Sequence, residues 1–178
     1  MTPDYKKFVV MDTCILCTWL KVPGKETCGP DNNRWDFKRV DDEITRLIDE
    51  GAMFVLPLAT IIETGNHIAQ SNGHDKQYAI DRFTQIICDS IDANEPWTKF
   101  SEQSGLWADD ALRNLATRWK PLAHSYLSLG DASIVDVANF YAQLRKPVEI
   151  FTADAGLQAY APAPTPKRRQ LAPPRRES

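Results

Sequence analysis

The sequence predicts an α/β fold with a mainly parallel central sheet flanked by helices. Three observations carry that expectation. Short apolar runs of strand length alternate with longer stretches of helical periodicity. Two of those runs, Phe8–Met11 and Val148–Phe151, are followed within a few residues by an aspartate. The length of 178 residues, 43% hydrophobic and 25% charged, suffices for one domain with a full core and is too short for two.

Phe8 to Met11 reads as a strand ending at Asp12, and Thr13 to Leu20 as a helix stopped by Lys21-Val22-Pro23-Gly24. Gly24 to Asp36 is rich in Gly, Pro, Asn and Asp and reads as a loop. Phe37 to Glu50 is an amphipathic helix with Val40, Ile44, Leu47 and Ile48 at helical spacing, and Gly51 closes it. Met53 to Leu56 is the second strand, and Thr60 to Gln70 a helix. His74 to Asp92 is another helix, with Tyr78, Phe83, Ile86 and Ile87 as its apolar face. Asn94 to Ser104 is irregular, and Leu106 to Trp119 is a helix with Leu112, Leu115 and Trp119 inward. Asp131 to Leu144 carries one apolar stripe, Ile134, Val135, Ala138, Tyr141 and Ala142. Val148 to Phe151 is the third strand, and Asp154 to Tyr160 a short final helix. Residues 1–160 therefore form the domain, and the Pro-rich, basic residues 161–178 are expected to be a disordered tail.

No apolar run approaches the ~18 residues of a membrane span, and Phe8–Met11 is too short for a signal-peptide core. The expected location is cytoplasmic, away from membranes. Four cysteines, Cys14, Cys17, Cys28 and Cys88, lack the spacing of a secreted disulfide framework. Cys14-x-x-Cys17 looks like a redox or zinc half-site, but no second Cys pair accompanies it, and at i and i+3 the two share a helix face, where buried thiols act as small hydrophobes. The net charge of −3 is uneven: the tail from Ala161 is +4 and the body −7. In the tail, Lys167, Arg168 and Arg169 are candidates for nonspecific nucleic-acid contact.

Four carboxylates stand at element ends: Asp12, Glu63, Asp131 and Asp154. Each has a structural explanation. Asp12, Asp131 and Asp154 sit where helix caps belong, and Thr60-Ile61-Ile62-Glu63 has the form of a capping box. As a set they say more. Two follow strands that belong side by side in one sheet, and two open helices beside them, so all four can converge beyond the carboxyl ends of the strands. Clustered carboxylates disfavour one another's ionisation, and a hard divalent cation relieves that conflict. Such a site suits hydrolysis of a phosphodiester.

The ordered motifs resemble those of PIN-domain nucleases. Val9-Val10-Met11-Asp12-Thr13 resembles the family's opening strand motif, and Leu56 to Asn66 the segment that delivers its glutamate, here Glu63. Gly130-Asp131-Ala132-Ser133 is similar to the third motif, and Phe151-Thr152-Ala153-Asp154 to the fourth. The resemblance implies a PIN-like three-layer fold and a Mg²⁺- or Mn²⁺-dependent nuclease acting on RNA. Asp12, Glu63, Asp131 and Asp154 would be its catalytic and metal-binding residues. Many small members are toxins of toxin–antitoxin pairs (VapC-like), commonly dimeric and inhibited by an antitoxin protein. The long segment from Gly73 to Ala123 departs from that shorter pattern.

Three secondary residues follow. Thr152 is placed to orient Asp154 through its hydroxyl, and Asn66 lies one turn after Glu63. Asp136 is about 140° around the helix from Asp131, which suits an outer-sphere group at most. A competing reading is a PIN-fold module that binds RNA or protein without turnover. A nucleotide-binding protein is disfavoured because Asp12-Thr13-Cys14 stands where a Gly-rich phosphate loop would follow the first strand.

Overall fold

A computed structural model describes residues 6–163. The proposed contact residues Lys167, Arg168 and Arg169 and most of the expected tail lie outside the described residues. Three strands, β1 (Phe8–Met11), β4 (Met53–Val55) and β5 (Val148–Phe151), form a parallel sheet in the order β4-β1-β5. The register aligns Val9 with Phe54 on one side and with Glu149 on the other.

The central strand is covered on both faces, and its alternation sorts two cores. Val9 and Met11 point into one, with Phe54 and Phe151. Helices α1 (Thr13–Trp19), α2 (Phe37–Asp49), α3 (Leu58–Gln70) and α4 (Lys76–Asp92) close that side. Val10 points into the other core with Val55 and Ile150, against α6 (Leu129–Gln143) and Leu157 of α7 (Ala155–Gln158). Helix α5 (Asp109–Ala123) packs outside α6 through Leu115, Leu127 and Ala132. The result is the expected three layers, helices on both faces of a parallel sheet. Among the described residues no helix is long and apolar enough to cross a membrane.

Part of the long middle segment seals the sheet edge. Phe54 donates its N–H to Pro96 O at 2.7 Å and accepts from Thr98 N at 2.8 Å, and buried Gln103 donates to Leu56 O at 3.1 Å. An open edge of β4 would otherwise invite pairing with another chain.

The structure departs from expectation in several places. The loop Gly24–Asp36 contains a two-stranded antiparallel ladder of β2 (Thr27–Cys28) and β3 (Trp35–Asp36). Its turn depends on Gly29, at φ +85°, where a Cβ would meet Asn33 O at 2.6 Å. Residues Phe100–Trp107 form a 3₁₀ turn, so α5 begins at Asp109 and runs on through Pro121. Ile48, Tyr78 and Leu112 are 44%, 43% and 41% exposed rather than inward, because Leu47, Phe83 and Leu115 already fill the buried arc of their helices.

Candidate active site

Parallel strands end on the same edge of a sheet, so the residues that follow β1 and β5 meet in space. Asp12 caps α1 directly after β1, and its carboxylate is only 5% exposed. Oδ1 accepts from Thr13 N at 2.6 Å; Oδ2 accepts from Thr152 Oγ1 at 2.7 Å and from the Cys14 thiol at 2.9 Å. Burial raises the Asp12 carboxyl above the ordinary carboxylate range. The three hydrogen bonds pull it down, and the charge of Asp131 adds to the rise.

Asp154 caps α7, its Oδ1 accepting from Gly156 N at 2.7 Å and from Leu157 N. Thr152 joins the two aspartates: its hydroxyl donates to Asp12 and accepts from Asp154 N at 2.9 Å. The hydroxyl thus holds the Asp154 backbone and the Asp12 carboxylate; among the described residues it makes no hydrogen bond to the Asp154 carboxylate.

Glu63 is not in a capping box. Helix α3 begins at Leu58, so the third helical position, where a box needs its acid, is Thr60 itself. Thr60 instead donates to Met11 O at 2.8 Å and pins the helix start to the end of β1. Glu63 reaches across to accept from Thr13 Oγ1 at 2.9 Å. Its other oxygen lies against Gly130, where a Cβ would come within 2.3 Å of it. The glutamate thus rests on the first turn of α6, near the positive end of that helix.

The capping box belongs to Ser128 and Asp131. Helix α6 starts two residues earlier than expected, so Asp131 is its third residue rather than its first. Its Oδ2 accepts from Ser128 Oγ at 2.8 Å, and its own N–H donates to that hydroxyl.

All four acids line one cavity of about 290 Å³, together with Lys25, His67 and the thiols of Cys14, Cys17 and Cys28. Asn66 and Asp136 are not among the residues that line it. Asn66 is exposed, whereas His67, four residues after Glu63, comes round to the rim. Asp136 faces α5 and takes two hydrogen bonds from Arg118, at 2.6 and 2.7 Å.

No family model, curated protein or solved structure matches the chain.

Among the described residues, no three His, Cys, Asp or Glu side chains are drawn together as a ready ligand group. The donor chemistry nevertheless fits a hard divalent ion. Glu63 Oε1, Asp131 Oδ1 and Asp154 Oδ2 have no hydrogen-bond partner among the described residues. Asp12 is a buried carboxylate kept from easy ionisation, which a nearby cation would favour. Lys25 is the one lysine or arginine on the cavity wall and makes no ion pair among the described residues. Burial and the Lys25 charge push the His67 imidazole down, with Glu63 opposing, so a neutral ring is favoured.

In the sequence nothing marks Cys28 or Lys25 as site residues, and His67, beside Asn66, reads as a surface residue. All four cysteines are free, and Cys14, Cys17 and Cys28 line the same cavity. The Cys14 thiol donates its one proton to Asp12 Oδ2. The Cys14 thiol nearby lowers Cys28 against the effect of burial, and the same interaction together with burial raises Cys14. Burial pushes Cys17 up to about 11.

Proposed function

We propose that this chain is a PIN-type, metal-dependent nuclease that hydrolyses phosphodiester bonds of RNA. One observation carries the reading: four carboxylates from four separated segments line a single cavity beyond the carboxyl ends of β1 and β5. Asp12, Glu63, Asp131 and Asp154 would hold Mg²⁺ or Mn²⁺. When bound, such an ion supplies positive charge for the phosphodiester and acidity for an attacking water.

The chain's own residues do the positioning. Thr13 N–H and the Thr152 hydroxyl fix the two oxygens of Asp12, and the Thr13 hydroxyl fixes Glu63. Lys25, at the rim without an ion pair among the described residues, offers a phosphate oxygen a cationic contact. Neutral His67 offers a hydrogen bond without adding charge.

The purified chain should cut single-stranded RNA in the presence of Mg²⁺ or Mn²⁺, and EDTA should stop the cutting. If Asp12→Asn cuts as well as the parent, the assignment of this cavity is wrong. A second reading, a binding module without turnover, is favoured by the use of Asp12, Asp131 and Asp154 as helix-end acceptors. Calorimetric titration with Mn²⁺ separates the two, since a module has no need of the ion.

A further inference from the structure

We propose that a second cavity beside the acidic one is a base subsite, taking a nucleobase of the RNA strand whose phosphate lies at the carboxylates. Its ligand rests on the nuclease reading, and its place rests on the fold. The second cavity has a volume of about 460 Å³, within the usual range of small-ligand pockets. It lies between the end of α1, the start of α2 and the turn from α3 to α4. One buried residue, Thr18, belongs to the walls of both cavities. Its hydroxyl donates to Lys25 O at 3.2 Å and holds the ridge between them. Along that ridge the chain alternates: Gly24 and Glu26 line the second cavity, and Lys25 lines the acidic one. A strand bound at the carboxylates and crossing Lys25 delivers a flanking nucleotide to the second cavity.

Both walls are set before any ligand arrives. On one side Lys21 N donates to Thr18 O at 3.1 Å, Val22 N to Cys17 O at 3.0 Å and Lys25 N to Val22 O at 2.8 Å. On the other, the Lys76 ammonium donates to Ala69 O at 2.8 Å and Ser71 O at 2.9 Å. The walls meet at Gly73, where a Cβ would come within 3.1 Å of the Pro23 ring.

The lining suits a base better than a phosphate. Pro23 and Phe37 offer apolar surface. The Lys21 ammonium lies 4.1 Å from the centre of the Phe37 ring and 5.9 Å from that of Tyr78. It makes no ion pair among the described residues, so its N–H groups are open to a ring nitrogen or carbonyl. The Asp75 carboxylate stands at the head of α4 without capping it, and can accept from a ring N–H or amino group. Glu26 is already committed to Gly24 N at 2.8 Å. Two carboxylates against one lysine leave no positive surplus for a second phosphate, whereas a neutral base uses donor and acceptor alike.

The test follows the full isotope-labelled chain by NMR in Mg²⁺, titrated with a short single-stranded phosphorothioate RNA that resists cutting, and with an abasic strand of equal length. The RNA should shift the backbone amides of Asn72, Gly73 and His74, and the abasic strand should leave them in place. In fluorescence anisotropy, Lys21→Met, which keeps the apolar stem over Phe37, should weaken RNA binding about tenfold, the worth of one good base contact. Abasic-strand binding should weaken much less, and Lys21→Arg should recover most of the loss. Where a variant is unstable, the amide shifts of the parent decide. Shifts confined to Lys25, His67 and the carboxylates overturn the subsite, as do equal losses on the two strands or no binding of either. A chain that cuts unmodified RNA yet gives one of those results loses the subsite and keeps the nuclease reading. Shifts at Gly73 without any cutting do the reverse.

Discussion

Replacing Thr152 with Val deletes one oxygen that makes two hydrogen bonds. The hydroxyl donates to Asp12 Oδ2 at 2.7 Å and accepts from Asp154 N at 2.9 Å. Valine keeps the size and the β-branched shape, so the hydrogen bonds are the main loss. A hydrogen bond to an ionised carboxylate contributes about 1.5–3 kcal/mol. Asp12 is buried, so water does not easily replace the lost donor. The Asp154 N–H lies near solvent and is rehydrated at little cost. The expected destabilisation is therefore about 2 kcal/mol, or a fall in Tm of about 4–8 °C for a domain of this size. Thr152→Ser, which keeps the hydroxyl, should recover more than half of the loss. The penalty should also shrink on acidification, because a protonated Asp12 gains only a neutral hydrogen bond. Denaturant unfolding of the three proteins at two pH values checks this. A valine variant within about 0.5 kcal/mol of the parent, the size of an ordinary surface change, would refute the bridging role of Thr152.

Two further outcomes follow from the same cavity. Gly130→Ala puts a methyl 2.3 Å from the end of the Glu63 side chain, which is flexible enough to swing away. Stability should change by less than about 1 kcal/mol, while RNA cleavage should fall by about tenfold or more as Glu63 is displaced; steady-state kinetics beside thermal melts would expose an unchanged rate. Asp12 titrates with a raised folded-state pKa, so its contribution to stability is full below its unfolded value of about 3.8 and is lost as pH rises through the folded value. The stability of the parent minus that of Asp12→Asn should therefore decline as pH rises above 3.8 in EDTA. Adding Mn²⁺ at neutral pH should raise the Tm of the parent and leave that of Asp12→Asn nearly unchanged.

The parts of this protein that local pattern determines were legible in the sequence. Phe8–Met11 is an apolar run and Val148–Phe151 is apolar but for Glu149, each closed by polar residues, and both are strands at those bounds. The stripe of Ile134, Val135, Ala138 and Tyr141 gave the helix that covers one face of the sheet. The meeting of Asp12 and Asp154 was legible because each follows a strand, and parallel strands bring such positions to one edge. The hydrogen-bond role of Glu63 was not legible. Thr60-x-x-Glu63 has the spacing of a capping box, but Pro57 starts the helix early and moves Glu63 beyond the reach of the first turn. Only the packing of α3 beside α1 and α6 aims that glutamate at Thr13 and Gly130. Asp136 follows Asp131 on the same helix, yet the position of α5 decides that it meets Arg118 instead of the cavity. Cys28 shows the limit most plainly: a two-residue strand inside a Gly- and Asn-rich loop carries no periodic signal. Its place on the cavity wall exists only because the folded ladder lies against α1. Sequence by itself determined which segments become strands and helices, since hydrophobic period and chain breakers act over a few residues. Tertiary structure alone decided which side chains share the cavity, because that depends on contacts between segments far apart in the chain.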